Sequence, residues 1–347
     1  MRNAKRSNFS NRFHLHKSRA AHVTALIAVI IATAVVFSFA SEWVNDRPEI
    51  KTTYGVTFST LYSDQLGLSY QDVYQSLVEE VGVKQVRLPV YWSEVEHNQG
   101  EFDWTRYDWL FEYSKEHGVS VVPVVGVKVP RWPECFSPDW AETMSEDAHH
   151  NAAMTFIRET VERYKSNDAI VRWQVENEPF FPFGICPEIT TDQFLERAEL
   201  VRHLDDRPIQ ITVSGEIGPW LDQAQEADVL GFSLYRQTWS DAFGYFVYPL
   251  SPEYYFIRTG LVSGYVDEVI ISELQAEPWF PELIENRTPT QWYEVFTKEM
   301  LQENADFAQE TGVSETYFWG AEWWYYLLKA DEPRLWDKAI TIFQTNE

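Results

Sequence analysis

Two cysteines in 347 residues are too few for a disulfide-built scaffold, and the spacing of Cys135 and Cys186 matches no zinc motif. Histidine is scarce as well, at eight. His14 and His16 sit in a basic N-terminal stretch. The adjacent pair His149 and His150 lacks the i, i+4 spacing that would put two ligands on one helix face, so no metal is expected. Basic residues are outnumbered, 28 Lys and Arg against 53 Asp and Glu, for a formal charge of −25. A chain of that charge repels phosphate backbones, which argues against nucleic acid as a partner. No internal repeat, low-complexity tract or second-domain linker stands out.

What positive charge there is gathers at the start. Arg2, Lys5, Arg6, Arg12, Lys17 and Arg19 precede the first acid, Glu42. Between them lies VTALIAVIIATAVVFSFA, Val23 to Ala40, uncharged and just long enough to cross a hydrocarbon core. A basic flank before such a run reads as an export signal. The expected organisation is a basic cytoplasmic tail over residues 1–22, a transmembrane or signal-anchor segment over 23–40, a short tether over 41–51 and one domain over 52–347. An uncleaved anchor, with the acidic bulk outside the cytoplasm, is favoured over cleavage after Ala40 and secretion.

From Thr53 onward, short β-branched runs alternate with amphipathic stretches. The strand candidates begin at Thr53, Lys84, Val119, Ala169, Ile209, Val229, Glu268 and Glu315. Helical patterns separate them, among them YQDVYQSLVEEVG, WTRYDWLFEYSKEHG, DQFLERAELVRHLDD and the long QWYEVFTKEMLQENADFAQETG. Eight strand and helix units in alternation predict a single (β/α)₈ TIM barrel, which needs roughly 250 residues.

In such a barrel the working side chains stand at the C-terminal ends of the strands. Two glutamates meet that test. The fourth strand ends in Trp-Gln-Val-Glu-Asn-Glu-Pro, placing Glu178 at its tip, and the seventh ends in Ile-Ile-Ser-Glu-Leu, placing Glu273 there. Two carboxylates on opposite sides of one mouth suit glycosidic cleavage, one to protonate the leaving oxygen and one to attack the anomeric carbon. Glu277 and Glu268 are the alternatives for the second position.

The WQVENEP segment resembles the Asn-Glu-Pro motif that ends strand four of clan A glycoside hydrolases, and IISEL resembles their strand-seven nucleophile segment. The stretch VRLPVYWSEVEHNQGEFDW, Val86 to Trp104, is similar to the strand-two region of the cellulase-like family, glycoside hydrolase family five, and its relatives. What the resemblance implies is a retaining enzyme without a cofactor. Glu178 would be acid/base, Glu273 nucleophile, and Asn177 a donor to the sugar hydroxyl beside the anomeric carbon. Arg87 would keep Glu273 ionised, Tyr235 would hydrogen-bond it, and Trp319 would form the floor beneath the central sugar. The chain departs from the cellulase-like pattern at Ser233, where many relatives carry a histidine, and in VGVKVPRWPE after strand three, which has none.

Aromatic residues make up 16% of the chain, with 15 Trp, and flat rings suit the apolar faces of sugars. Trp132 and Trp279 are the expected subsite rings. Glu277 is a further substrate contact, while Glu176, Glu216 and Glu322 read as structural or subsite residues. Cys135 and Cys186 fall in the loops after strands three and four, neighbours on the catalytic face, so a loop-stapling disulfide is expected outside the cytoplasm. The expected substrate is an oligo- or polysaccharide with β linkages, and a monomer is favoured. A transglycosylase with the same residues and a non-catalytic glycan-binding barrel are the other readings the sequence leaves open.

Overall fold

A computed structural model describes residues 50–345. The basic tail, the apolar run 23–40 and nearly all of the tether therefore lie outside the described residues. Among the described residues no helix is long and apolar enough to cross a membrane.

Eight parallel strands close into a barrel: β1 (Thr53–Thr57), β2 (Gln85–Pro89), β3 (Ser120–Val125), β4 (Trp173–Val175), β5 (Ile209–Ser214), β6 (Val229–Leu234), β7 (Glu268–Gln275) and β8 (Glu315–Trp319). All eight come from the eight expected runs. The ring closes by pairing β1 with β8, Thr53 opposite Glu315 through Thr57 opposite Trp319. Alternation along each strand sorts side chains into two sets. One set, including Val56, Val86, Ile211 and Phe232, joins the large core beneath the helices. The other points inward, where Val122, Val229, Ile270 and Tyr317 form a separate cluster inside the barrel.

Nearer the mouth the inward positions turn polar: Thr57, Arg87, Gln174, Gln210 and Thr212, all buried. Burial of so many polar groups requires mutual hydrogen bonds. Gln174 Oε1 accepts from Arg87 Nε at 2.7 Å and from Gln210 Nε2 at 2.8 Å. This polar layer is the rigid base on which the site stands.

The expected long helix over 291–312 is two, Pro289–Val295 and Lys298–Glu310. Phe296 is extended between them and fully buried, and Thr297 starts the second by accepting from Met300 N. Burying Phe296 and capping with a threonine hydroxyl outweigh continuity of the helix here. Two further helices, Pro252–Val262 and Ala321–Lys329, and a hairpin pairing Gln237–Ser240 with Gly244–Val247 complete the part that bears on the site.

Candidate active site

The two glutamates reach the mouth by different backbone devices. On β7, a one-residue bulge resets the alternation: Phe232 pairs with Ile271, but the next residue, Ser233, pairs with Glu273. Ile271 belongs to the outer core, so strict alternation would send Glu273 outward as well; the extra residue turns it inward. Room for the bulge comes from Gly231 on β6, where an added Cβ would lie 2.9 Å from Ser272 Cβ. At the end of β4, Glu176 (φ 58°) and Glu178 (φ 44°) adopt left-handed backbone that L-residues avoid. That turn aims successive side chains in different directions.

Glu176 points back into the structure. Its carboxylate accepts from Lys128 N at 2.6 Å, Val127 N at 3.0 Å and Arg197 Nη1 at 2.6 Å, so it anchors the loop after β3. Gly126 (φ 138°) makes space for it, since a Cβ there would lie 2.2 Å from Glu176 Oε1. Asn177 and Glu178 face the mouth.

Around Glu273 the partners are a cation and a phenol. Arg87 Nη1 donates to Oε1 at 2.9 Å, and Tyr235 OH donates to Oε2 at 3.2 Å. Arg87 also donates through Nη2 to Asn177 Oδ1 at 2.6 Å, which leaves the Asn177 amide nitrogen facing Glu134 Oε2 at 3.1 Å. Glu178, 9% exposed, accepts from Ser233 Oγ at 2.9 Å. Burial, then the charge of Glu273, pushes its carboxyl up to about 8. Ser233 thus links the two glutamates, bonded to one and paired in register with the other.

Three groups in the mouth carried no clear signal in the sequence. Glu134, in the loop after β3 at φ 79°, is buried and pushed well above the usual carboxylate range by burial and by the charge of Glu273. Lys128, lowered by burial, donates to the carbonyls of Glu178 at 3.0 Å and Phe181 at 2.7 Å. Arg131 (φ 95°) crosses to the far side, donating to Glu277 Oε1 at 2.5 Å and Glu322 Oε2 at 3.2 Å. Irregular loops have no period, so only spatial closeness reveals these residues. Among the described residues, four of the five non-glycine residues with positive φ, Arg131, Glu134, Glu176 and Glu178, lie in these two loops. Backbone strain is therefore concentrated at the site.

Glu216, ambiguous in the sequence, holds Tyr235 from behind: its Oε1 accepts from Tyr235 N at 2.8 Å and from Tyr255 OH at 3.3 Å. Burial pushes it up to about 7. Glu322 is likewise pushed up to about 7 by burial and accepts from Ser59 N.

Together these loops enclose a cleft of about 570 Å³ lined by Glu178, Glu273, Asn177, Tyr235, Trp319, Trp132 and Trp279, among others. Arg131 stacks between Tyr62, 3.7 Å from its ring centre, and Trp319, 4.2 Å away. Other tryptophans of the strand-end loops, Trp92, Trp220, Trp323 and Trp324, are buried and pack the barrel rather than face the cleft. Cys135 and Cys186 form a disulfide with Cα atoms 5.3 Å apart, tying the β3 loop to the β4 loop. Among the described residues no group of three His, Cys, Asp or Glu side chains could hold a metal ion.

The closed barrel is similar in fold to solved glycoside hydrolases, and part of the chain matches a glycoside hydrolase family model. A model of "Glycosyl hydrolase family 10" matches residues 53–197, a span that includes Arg87 and Glu178 and ends before Glu273. Over Val86–Trp104, the stretch compared above with the cellulase-like family, the matching model is that of family 10. Among solved structures, the chain is similar to a β-galactosidase from Rahnella sp. R3 (TM-score 0.61, 11% identity), covering 86% of this chain and 56% of that one. It is similar to a β-galactosidase from Halorubrum lacusprofundi (0.58, 13%), covering 85% and 58%. An endo-β-1,4-xylanase from Gloeophyllum trabeum (0.52, 14%) is covered over 78% of this chain and 85% of that one. The chain thus spans under two thirds of the β-galactosidases' length. At these identities the likeness establishes the barrel fold.

Proposed function

We propose that this protein is a retaining glycoside hydrolase that cleaves β-glycosidic bonds by double displacement, with Glu178 as acid/base and Glu273 as nucleophile. The observation that carries the reading is the unequal treatment of the two glutamates. Glu273 is ion-paired to a fully buried arginine and hydrogen-bonded by Tyr235, which fix its two oxygens in place for attack. Glu178 has no cation on its carboxylate and a carboxyl raised to about 8, so it holds a proton at neutral pH.

The chemistry follows from that asymmetry. Glu178 gives its proton to the glycosidic oxygen as the bond to the anomeric carbon breaks, and a Glu273 oxygen bonds to that carbon. The resulting ester carries no charge, which removes the repulsion that raised the Glu178 carboxyl. Glu178 is then a carboxylate able to take a proton from water, whose oxygen attacks the anomeric carbon and releases Glu273. Tyr235 and Arg87 hold Glu273 in place, and the Asn177 amide, fixed by Arg87 and Thr212, offers the N–H not bonded to Glu134 to a sugar hydroxyl. Trp319, Trp132 and Trp279 supply ring faces.

The family-model match and the complete carboxylate pair favour catalysis over a glycan-binding barrel that has lost turnover. The N-terminal basic and apolar segments support a single-pass membrane anchor with the barrel outside the cytoplasm, where a disulfide persists.

The test is hydrolysis by the full chain of a panel of aryl β-glycosides and β-linked glycans, beside Glu178→Gln and Glu273→Gln. Losses of ~10²–10⁴-fold for the first and at least ~10⁴-fold for the second are expected. Binding without turnover by the unaltered protein would favour the non-catalytic barrel.

A further inference from the structure

The proposed roles fix which way a substrate lies. Glu178 protonates the leaving oxygen, so the leaving group extends past Glu178, over the loops after β4, β5 and β6. The sugar that is attacked lies over Glu273, and anything attached to its far side would extend toward β8 and β1.

These two directions differ. Toward β8 and β1 the mouth is filled: Tyr62, Arg131 and Trp319 stack, and Glu277 and Glu322 bind the guanidinium from the loop after β7 and from the helix after β8. All five are 9% exposed or less. The strap that delivers Arg131 is tied on both sides, by Tyr91 OH donating to Pro130 O at 2.9 Å and by the Cys135–Cys186 disulfide. A buried, doubly paired arginine does not move aside without leaving two carboxylates unpaired, which costs several kcal/mol.

Toward β4–β6 the mouth is open and mostly apolar. A side cavity of about 210 Å³ begins at Glu178 and continues between Phe181, Pro182, Ile217 and Pro219, with Thr212, Ser214 and Gln223 also on its wall. Beyond it Phe183 is 39% exposed and Ile217 68%. Exposed apolar surface rimming a cleft marks a binding face. Thr212 is already bonded to Glu178 N and Asn177 Oδ1, so the wall matches an apolar chain over more of its area than it matches a ring bearing a hydroxyl on nearly every carbon.

Resting on the glycosidase reading, we propose that the substrate is a β-glycoside bearing one terminal sugar on an apolar leaving group, an aryl or alkyl chain seated against Phe181 and Ile217. The enzyme then releases monosaccharide from the end and does not cut within a polymer.

The experiment compares kcat/KM of the full chain for methyl and hexyl β-glycosides of the sugar it accepts, below micelle-forming concentrations, together with the matching trisaccharide. The hexyl compound is expected to exceed the methyl by at least ~10-fold and also to exceed the trisaccharide, with monosaccharide as the first product. The double variant Phe181→Ser, Ile217→Ser brings the hexyl-to-methyl ratio toward one, and a fall in the folded fraction does not move that ratio. Equal hexyl and methyl values, a preferred trisaccharide or early release of longer sugars overturns the proposal. Where that hydrolysis is still lost in Glu178→Gln, the glycosidase reading survives; absence of hydrolysis with every glycoside overturns both.

Discussion

The two sides of the barrel mouth show what one residue type becomes in two surroundings. On the β7 side, Glu273 has Arg87 and Tyr235 on its two oxygens. On the β4 side, Glu178 has a serine hydroxyl and the repulsion of Glu273. Both side chains are nearly buried, so depth alone does not distinguish them. The neighbour does: a fixed cation repays the desolvation of one carboxylate, and a neutral donor leaves the other better off protonated.

Replacing the cation breaks the contrast most severely. Arg87→Met strips Glu273 of its counter-charge and leaves Gln174 Oε1 and Asn177 Oδ1 short of a donor. Hydrolysis of an aryl β-glycoside is expected to fall by ~10²–10³-fold in kcat, because Glu273 loses the donor that fixes its position. An unchanged kcat would mean that Arg87 does not hold Glu273 for attack.

Removing the raised carboxyl sharpens the contrast through stability. Below the ordinary value of 4.5, Glu178 is neutral in both folded and unfolded chains. As pH rises through 4.5 the unfolded carboxyl ionises while the folded one keeps its proton until about 8, so this residue costs stability progressively over that window. Glu178→Gln has no such cost. Its stability relative to the unaltered chain should rise by up to ~4 kcal/mol between pH 4 and pH 8, measured by urea unfolding at both. In the same surroundings, kcat/KM of the unaltered enzyme should fall as pH rises past about 8.

The smallest effect tests the bulge. Gly231→Ala places a methyl against Ser272, beneath Glu273. Overpacking of this kind costs ~1–3 kcal/mol, and the displaced β7 end should lower kcat more than it raises KM.

Much of this was legible in the chain. Hydrophobic alternation located all eight barrel strands, because a closed parallel sheet leaves each strand little freedom. The same frame put Glu178 and Glu273 at strand ends. The break at Phe296 was hidden because an amphipathic pattern runs straight through it, and the decision is made by burial of one phenylalanine. Arg131, Glu134 and Lys128 were hidden for another reason. Their loop has no repeat to read, and its partners Glu277, Glu322 and Asn177 are distant in sequence and adjacent only once the barrel closes. Glu277, read from sequence as a substrate contact, bonds Arg131 through one oxygen, while its other oxygen has no hydrogen-bond partner.

The most direct test of the account is the configuration of the first sugar released, followed by proton NMR during hydrolysis of an aryl β-glycoside by the full chain. Two displacements at one carbon return the β anomer, so β product appearing first and mutarotating to α is the predicted result. The α anomer appearing first would mean a single displacement by water and would contradict the role given to Glu273.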